Sequence, residues 1–575
     1  MIIKPDFIKN DNTPLAEYPR PQFKRDIYYS LNGEWDFIIK KANGKEVSGK
    51  IQVPYSPECE LSGVKEQVRK GDLLIYNKTF TLPDGFNRGK VLINFGAVDQ
   101  VCIVKLNGRV VGGNKGGYYP FTIDITNALN EKENLLSVEV IDDAESDIYG
   151  RGKQVYRNGG IWYMATSGIW QSVFIESVPT KYLKSVKLIP DFDAKSLLVK
   201  PNKEGEGEVS VQILDGDTLL YTASGSGDIT LSVNGLKPWT VESPELYRVV
   251  LTFNDDIVES YFGLRKFSIV EKDGVKLFAL NNKPIFHNGL LDQGYFNGGM
   301  LTPRTNEDMY NEIKAVKELN FNMIRKHIKV EPLLWYYYCD ILGVLVWQDM
   351  LNGGKKYKLI RIALAPFINL HLNDKNYRSM GRSKESREQY YKEAYTLQET
   401  LYNQVSLCLY TPFNEAWGQF DALEVTKALR ENDPTRLYDH ASGWQDMGGG
   451  DLLSKHIYFR KIRLKNDNKR VLALTEFGGY SLPVKEHLFT KKKFGYKAFR
   501  SSEALEKAYI KLYEDEIIPA IENNGLCGTV YTQLTDIEDE INGIFTFDRV
   551  LKISSEAIKE VNGKVYKTFD EKFNK

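Results

Sequence analysis

The sequence predicts a multidomain chain: two β-sandwiches followed by a closed, eight-stranded parallel α/β barrel. Three observations carry this. Short alternating apolar segments separated by turn residues fill the first half. After about Ile269 the pattern changes to strand, helix, strand, and eight candidate strands follow within roughly 300 residues, a count that suits a closed barrel better than an open sheet. The length of 575 residues also exceeds what one hydrophobic core usually serves.

The first unit, residues 1–178, contains "GKVLINFGAV", "VCIVKLNGRVVGG" and "NLLSVEVID" and few helical patterns, and reads as an all-β sandwich. Residues 179–268, with "GEVSVQILDG" and "ELYRVVLTFND", have the strand spacing of an immunoglobulin-like sandwich. Residues 269–575 hold the candidate barrel strands "PIFHNGLLD", "FNMIRKH", "GVLVWQD", "VSLCLYTPFNE", "TRLYDHAS", "LLSKHIY", "RVLALTEFGG" and "GTVYTQL". Helical patterns such as "NEDMYNEIKAVKELN" lie between them.

Composition narrows the function. Lys+Arg and Asp+Glu balance at 76 each, so no net field favours nucleic acid or an anionic membrane, and the expected partner is small or neutral. Five scattered cysteines, mostly in apolar runs, predict buried thiols rather than a disulfide framework. The first residues lack the apolar stretch of a signal peptide and no segment offers about 18 unbroken apolar residues, so the expected location is cytoplasmic.

Most candidate barrel strands end in polar or ionisable residues: Asp292, His327, Asp349, Glu415, His440, Tyr458, Glu476 and Gln533. Active sites of such barrels form at the C-terminal strand ends, so these side chains are expected to converge on one mouth. Glu415 ends the fourth strand and Glu476 the seventh, on opposite sides of the ring. Two opposed carboxylates are what glycosidic bond cleavage needs, one protonating the leaving oxygen while the other attacks the anomeric carbon or activates water. Arg325, ending the second strand, is expected to keep Glu476 ionised. His327, His440 and His456 suggest a polar sugar pocket, and Trp347, Trp417 and Trp444 are candidates to stack on a pyranose face. No metal or cofactor is expected. "DIEDEINGIFTFD" is acidic, but an EF-hand frame on it puts Arg549 where the bidentate glutamate belongs.

The stretches "SLNGEWDF", "GGYYPFTIDIT", "ATSGIWQSVFIE", "FNMIRKH", "WYYYCDILGVLVWQD", "PFNEAWG" and "TEFGG" together resemble glycoside hydrolase family 2, the β-galactosidases, β-glucuronidases and β-mannosidases. The resemblance implies a jelly-roll sugar-binding domain, an immunoglobulin-like domain and a TIM-barrel catalytic domain. It also implies a retaining mechanism with Glu415 as acid/base and Glu476 as nucleophile. It places Asn414 on the sugar 2-hydroxyl and Tyr458 on the nucleophile.

Departures from the family bear on the substrate. The lysine that β-glucuronidases carry after the asparagine before a "GIFTFDR" segment is absent beside Asn542, which disfavours a glucuronidase. "VWQDMLNGG" lacks the Glu-x-His of magnesium-dependent β-galactosidases. "VWQD" is closer to the β-mannosidase version, and Arg325 and His327 are one residue closer than in many members. The chain stops soon after the eighth strand, so the sugar site is expected to be completed by barrel loops, by the insert between Asn352 and Leu401, or by the loop Tyr149–Met164 of the first domain. The expected activity is an exo-acting retaining β-glycosidase on a carbohydrate substrate, β-galactosidase first as the commonest family activity. β-Mannosidase or another specificity is the alternative, a non-hydrolytic carbohydrate-binding protein the alternative of another class, and homo-oligomerisation stays open.

Overall fold

The computed structural model describes residues 7–8, 13–355 and 372–575. Two antiparallel sheets build the first sandwich. One contains Tyr28–Ser30, Val173–Val178, Lys90–Phe95 and Phe121–Asp124, and the other runs from Glu46–Val53 through Gly33–Lys40, Leu73–Phe80, Asn134–Ile141 and Val101–Leu106 to Arg109–Lys115. Alternation decides the inner face: Trp35, Phe37 and Ile39 point inward from one strand and Leu136, Val138 and Val140 from another. The second sandwich packs a three-stranded sheet on a four-stranded one around Val209, Val211, Ile213, Val249 and Leu251.

The barrel strands are β1 (His287–Asp292), β2 (Met323–Lys326), β3 (Leu345–Asp349), β4 (Leu407–Thr411), β5 (Leu437–Tyr438), β6 (Leu452–Ile457), β7 (Val471–Gly478) and β8 (Gly528–Thr532). They are parallel and ordered β5-β4-β3-β2-β1-β8-β7-β6. Nearly all their residues are buried, as expected for strands covered on both faces. No ladder joins β5 to β6 among the described residues; the seam is closed by Asp451 N donating to Tyr438 O at 2.8 Å and by the buried Ser442–His456 contact described below. Helices follow β1 (α1, Asn306–Glu318), β2 (α2, Leu333–Leu342), β3 (Lys384–Leu401), β4 (Ala422–Asn432), β7 (Ser502–Leu512 and Ile518–Asn524) and β8 (Ser555–Phe573). The β5–β6 and β6–β7 connections, 439–451 and 458–470, contain no helix. A small sheet starting at Phe267–Lys272 plugs the N-terminal end: Phe278 stacks on His287 at 4.2 Å, and Trp347 donates to His287 Nδ1 at 3.0 Å. Trp347 therefore belongs to the barrel floor, which corrects its reading as a sugar platform. All five cysteines are buried and free, and no helix among the described residues is long and apolar enough to cross a membrane.

The sandwiches are tied to the barrel by buried polar contacts. Asp340 of α2 accepts from Ser406 N at 2.6 Å, Val405 N at 3.1 Å and the hydroxyl of Tyr261, in the second sandwich, at 2.9 Å. These bonds fix the entry to β4, whose far end carries Asn414 and Glu415. Replacing Asp340 by Ala strands three buried donors, and we expect a loss on the order of 3 kcal/mol, from about 1 kcal/mol or more per unsatisfied donor. The measurement is the thermal unfolding midpoint, which should fall by several degrees; an unchanged midpoint would contradict this account.

Candidate active site

Arg325 lies at the C-terminal end of β2, buried in the barrel interior, and its guanidinium is the hub of the mouth. Nε and Nη2 donate to the two oxygens of Asp349, each at 3.0 Å. Nη2 also donates to Asn414 Oδ1 at 2.8 Å, while Nη1 donates to Thr475 O at 3.0 Å and to Glu476 Oε1 at 3.2 Å. One planar cation thus links residues at the ends of β2, β3, β4 and β7.

The two glutamates meet across the ring. A carboxylate oxygen of Glu415, one of Glu476 and a ring nitrogen of His456 lie within 4.8 Å of one another. His456, on β6, sits between them: Nδ1 is 2.8 Å from Glu415 Oε1 and 3.4 Å from Glu476 Oε2. Its Nε2 is 2.8 Å from Ser442 Oγ, within a buried hydroxyl cluster of Ser442, Ser454 and Thr475 that holds the ring in place. Tyr458 donates to Glu476 Oε2 at 2.6 Å and stacks on Tyr496 at 4.1 Å.

The two carboxylates have different surroundings. The Glu476 side chain is 7% exposed and that of Glu415 27%. Burial alone would raise the pKa of Glu476, but the charges of His456 and Arg325 outweigh it and hold the carboxyl at about 2. Burial next to Glu476 pushes the Tyr458 phenol well up, so it stays protonated and donates. Glu415 itself has a left-handed backbone, φ 50°, with its N–H donating to Ser442 O at 2.7 Å. Gly443, at φ 92°, lies against it: a Cβ there would be 3.2 Å from Glu415 Cγ and 3.0 Å from His456 Nδ1. The chain is glycine where any side chain would enter the site.

Several strand-end residues are engaged elsewhere. Asp349 spends both oxygens on Arg325 and, at 2.6 Å, on His327 Nδ1, so it orients those two side chains rather than facing a sugar. Asp292 pairs with Lys326, whose ammonium lies 4.2 Å over the Trp335 ring of α2, on the outer face of the barrel. This corrects Asp292 as a mouth residue: strand alternation turns it and Lys326 outward while Arg325 points in. Gln533 is engaged by side chains outside the carboxylate pair, accepting from Gln293 at 2.7 Å and donating to Asn542 at 2.8 Å, and His440 accepts from Met447 N at 2.9 Å. Trp417 is buried edge-on against Trp162 at 5.3 Å, under Arg151, and is thus a packing residue. Trp444 stays half-buried at the mouth, 5.5 Å from His456. His327 keeps Nε2 buried with no partner among the described residues, and burial lowers its pKa, so its ring is neutral.

The loop Tyr149–Met164 docks on the barrel. Gly150 N donates to Glu393 at 2.8 Å, Asn158 to Glu538 at 2.6 Å and Met164 N to Glu538 at 2.7 Å. Tyr163 donates to Glu540 at 2.5 Å and accepts from Gln293 at 2.6 Å. Of the insert after Asn352, residues 356–371 lie outside the described residues. Sequence reasoning missed Ser442, Thr475, Tyr496 and Glu540. The first two look like ordinary strand and turn residues, and Tyr496 follows a lysine run with no periodicity to mark it.

Two sequence models match the chain: "Glycosyl hydrolases family 2, sugar binding domain" over residues 53–179 and "Glycosyl hydrolases family 2, TIM barrel domain" over residues 270–472. The chain belongs to glycoside hydrolase family 2. The barrel match includes Asn414 and Glu415 and ends before Glu476. Among curated relatives, the β-galactosidase of Halalkalibacterium halodurans is 25% identical over 389 residues, 63% of this chain and 35% of that protein. That of Priestia megaterium is 26% identical over 488 residues, 78% of this chain and 44% of that protein. The chain thus spans less than half the length of these two relatives. The β-D-glucuronidase structure from Dictyoglomus thermophilum superposes with a TM-score of 0.74 at 17% identity, covering 95% of this chain and 98% of that one. A β-galacturonidase from Eisenbergiella tayi, bound to galacturonate, gives 0.69 at 16% identity, covering 94% and 98%. At these identities the structures show a shared fold.

The low pKa of Glu476 has a checkable consequence. A carboxyl held below its ordinary value of 4.5 contributes stability that is complete above that pH and is lost as the pH falls toward about 2. In that window the melting midpoint of the wild-type chain should fall more steeply than that of Glu476→Gln, which lacks the titrating group. Parallel slopes would show that the carboxylate is not held ionised by its neighbours.

Proposed function

We propose that this chain is a retaining exo-β-glycosidase in which Glu476 is the nucleophile and Glu415 the acid/base. The observation that carries the reading is the 4.8 Å grouping of the two carboxylates with His456. Retaining glycosidases hold their carboxyls about 5–5.5 Å apart, whereas inverting ones need several ångströms more to seat a water.

The surroundings support a division of labour. Glu476 is ionised, buried and aimed by Arg325 and Tyr458, as a nucleophile must be before it attacks the anomeric carbon. Glu415 is the more exposed, and its contact with His456 Nδ1 suits a group that first gives a proton to the leaving oxygen and then takes one from water. Asn414, with Oδ1 fixed by Arg325, has its amide N–H₂ left for the sugar 2-hydroxyl, a contact that strengthens in the transition state. His327 donates through Nδ1 to Asp349 and can accept a sugar hydroxyl at Nε2. Trp444 is the aromatic platform. A β-galactoside is the first choice of substrate, supported by the names of the curated relatives.

A panel of p-nitrophenyl β-glycosides tests the reaction and the sugar together. Glu476→Gln should abolish turnover on every substrate that the wild-type chain cleaves. Glu415→Ala should keep the first step on activated aryl glycosides, accumulate the glycosyl-enzyme, and regain rate with added azide, which needs no general base. Turnover of Glu476→Gln at wild-type rate would end the assignment.

A further inference from the structure

Ser442, fully buried in the segment that leaves β5, reaches Glu415 by two routes. The first is the backbone: Ser442 N donates to Phe413 O at 2.8 Å, and Glu415 N donates to Ser442 O at 2.7 Å, which bridges the chains beyond β4 and β5. The second runs through His456. The Ser442 hydroxyl lies 2.8 Å from the ring's Nε2, and the ring's Nδ1 lies 2.8 Å from Glu415 Oε1. One serine therefore fixes both where the Glu415 backbone turns and which ring atom faces its carboxyl.

The neighbours of the imidazole decide where its protons stand, because the partner of one ring nitrogen sets the state of the other. Nδ1 faces two acceptors, Glu415 Oε1 and, at 3.4 Å, Glu476 Oε2. Nε2 faces the Ser442 hydroxyl and, at 3.5 Å, Arg325 Nη1, whose hydrogens are permanent. That hydroxyl can turn its hydrogen onto Nε2. It can also turn it toward Ser454 or Thr475, 3.3 and 3.1 Å away, and accept from an Nε2–H. A neutral ring then keeps its single proton on Nδ1, and a cationic ring has one there as well. In both states Nδ1–H donates to Glu415 Oε1.

We propose that Ser442 is a positioning residue that acts through His456: it keeps a hydrogen bond on Glu415 Oε1, so that Oε2 is the oxygen that carries the catalytic proton. This rests on Glu415 being the acid/base and Glu476 the nucleophile. In the first step a Glu476 oxygen bonds to the anomeric carbon while the bond from that carbon to the leaving oxygen breaks. The electron pair of the broken bond goes to the leaving oxygen, which takes the proton from Glu415 Oε2. The negative charge left on Glu415 is met at Oε1 by the His456 Nδ1–H, a charge-assisted hydrogen bond already in place. Ser442 lies on the Nε2 side of the ring, so its contribution passes through the imidazole.

The test measures kcat/KM of the full chain on the 2,4-dinitrophenyl and the phenyl β-glycoside of the sugar that it cleaves. This constant reports the first step, and phenol, a far more basic leaving group, needs the proton that dinitrophenol can do without. The ratio of dinitrophenyl to phenyl should rise by about 10- to 100-fold in Ser442→Ala, part of what general acid catalysis contributes. It is independent of the fraction of folded enzyme, so a merely structural role for Ser442 would lower both rates together, and an unchanged ratio would overturn the proposal. Glu415→Ala is the control. A rise there without one in Ser442→Ala removes only this inference, whereas no rise in Glu415→Ala removes the acid/base reading and this inference with it. The wild-type chain supplies a second measurement. Of its six histidines, the ring whose ¹⁵N signals disappear in His456→Asn should carry a proton on Nδ1; a ring protonated on Nε2 alone would overturn the proposal.

Discussion

Burying an arginine in the barrel interior is the constraint around which the mouth is organised. An unpaired guanidinium there would be prohibitive, so the surrounding strand ends must supply acceptors with the right geometry. Asp349 supplies two, Asn414 one, Thr475 one through its backbone and Glu476 one. Those acceptors come from β3, β4 and β7, so satisfying one cation also sets the relative positions of three strand ends. The carboxylate of Glu476 is left where it can face Glu415, and its ionisation is favoured by His456 together with this same contact.

Two domains meet on the barrel. Barrel residues alone supply the carboxylate pair and the histidine between them, and a loop from the first sandwich docks on the same domain. That loop is anchored through Gly150, Asn158, Tyr163 and Met164. Trp162 and Trp417 pack edge to face at this junction, so the tryptophan two residues after Glu415 braces the loop instead of stacking on a sugar. A loop so held is fixed to the barrel by both hydrogen bonds and aromatic packing.

Period-two alternation explains why so many polar strand ends are not in the pocket. Arg325 and Lys326 are neighbours on β2 and face opposite ways: the first into the mouth, the second onto Trp335 with Asp292 and Glu331 as its counter-ions. Both sets are buried, because the outer face of a barrel strand lies under helices. A polar residue at the end of such a strand therefore has two equally dry destinations. Only one of them is a binding site.

By itself the sequence pointed to a succession of two sandwiches and a barrel, to eight strands, and to Glu415, Glu476, Arg325 and His456 at strand ends, because strand periodicity and strand-end position are local properties of the chain; Asn414 and the contact of Tyr458 with Glu476 came from the family resemblance. The tertiary structure decided which strand-end side chains turn inward, sending Asp292 to the outer face and Asp349, Gln533 and Trp417 into supporting contacts. It also brought in Ser442, Thr475, Tyr496 and Glu540, which carry no local signal. Their roles depend on which distant segments close around them, through hydrogen bonds and charges that act across space and leave no spacing in the sequence to read.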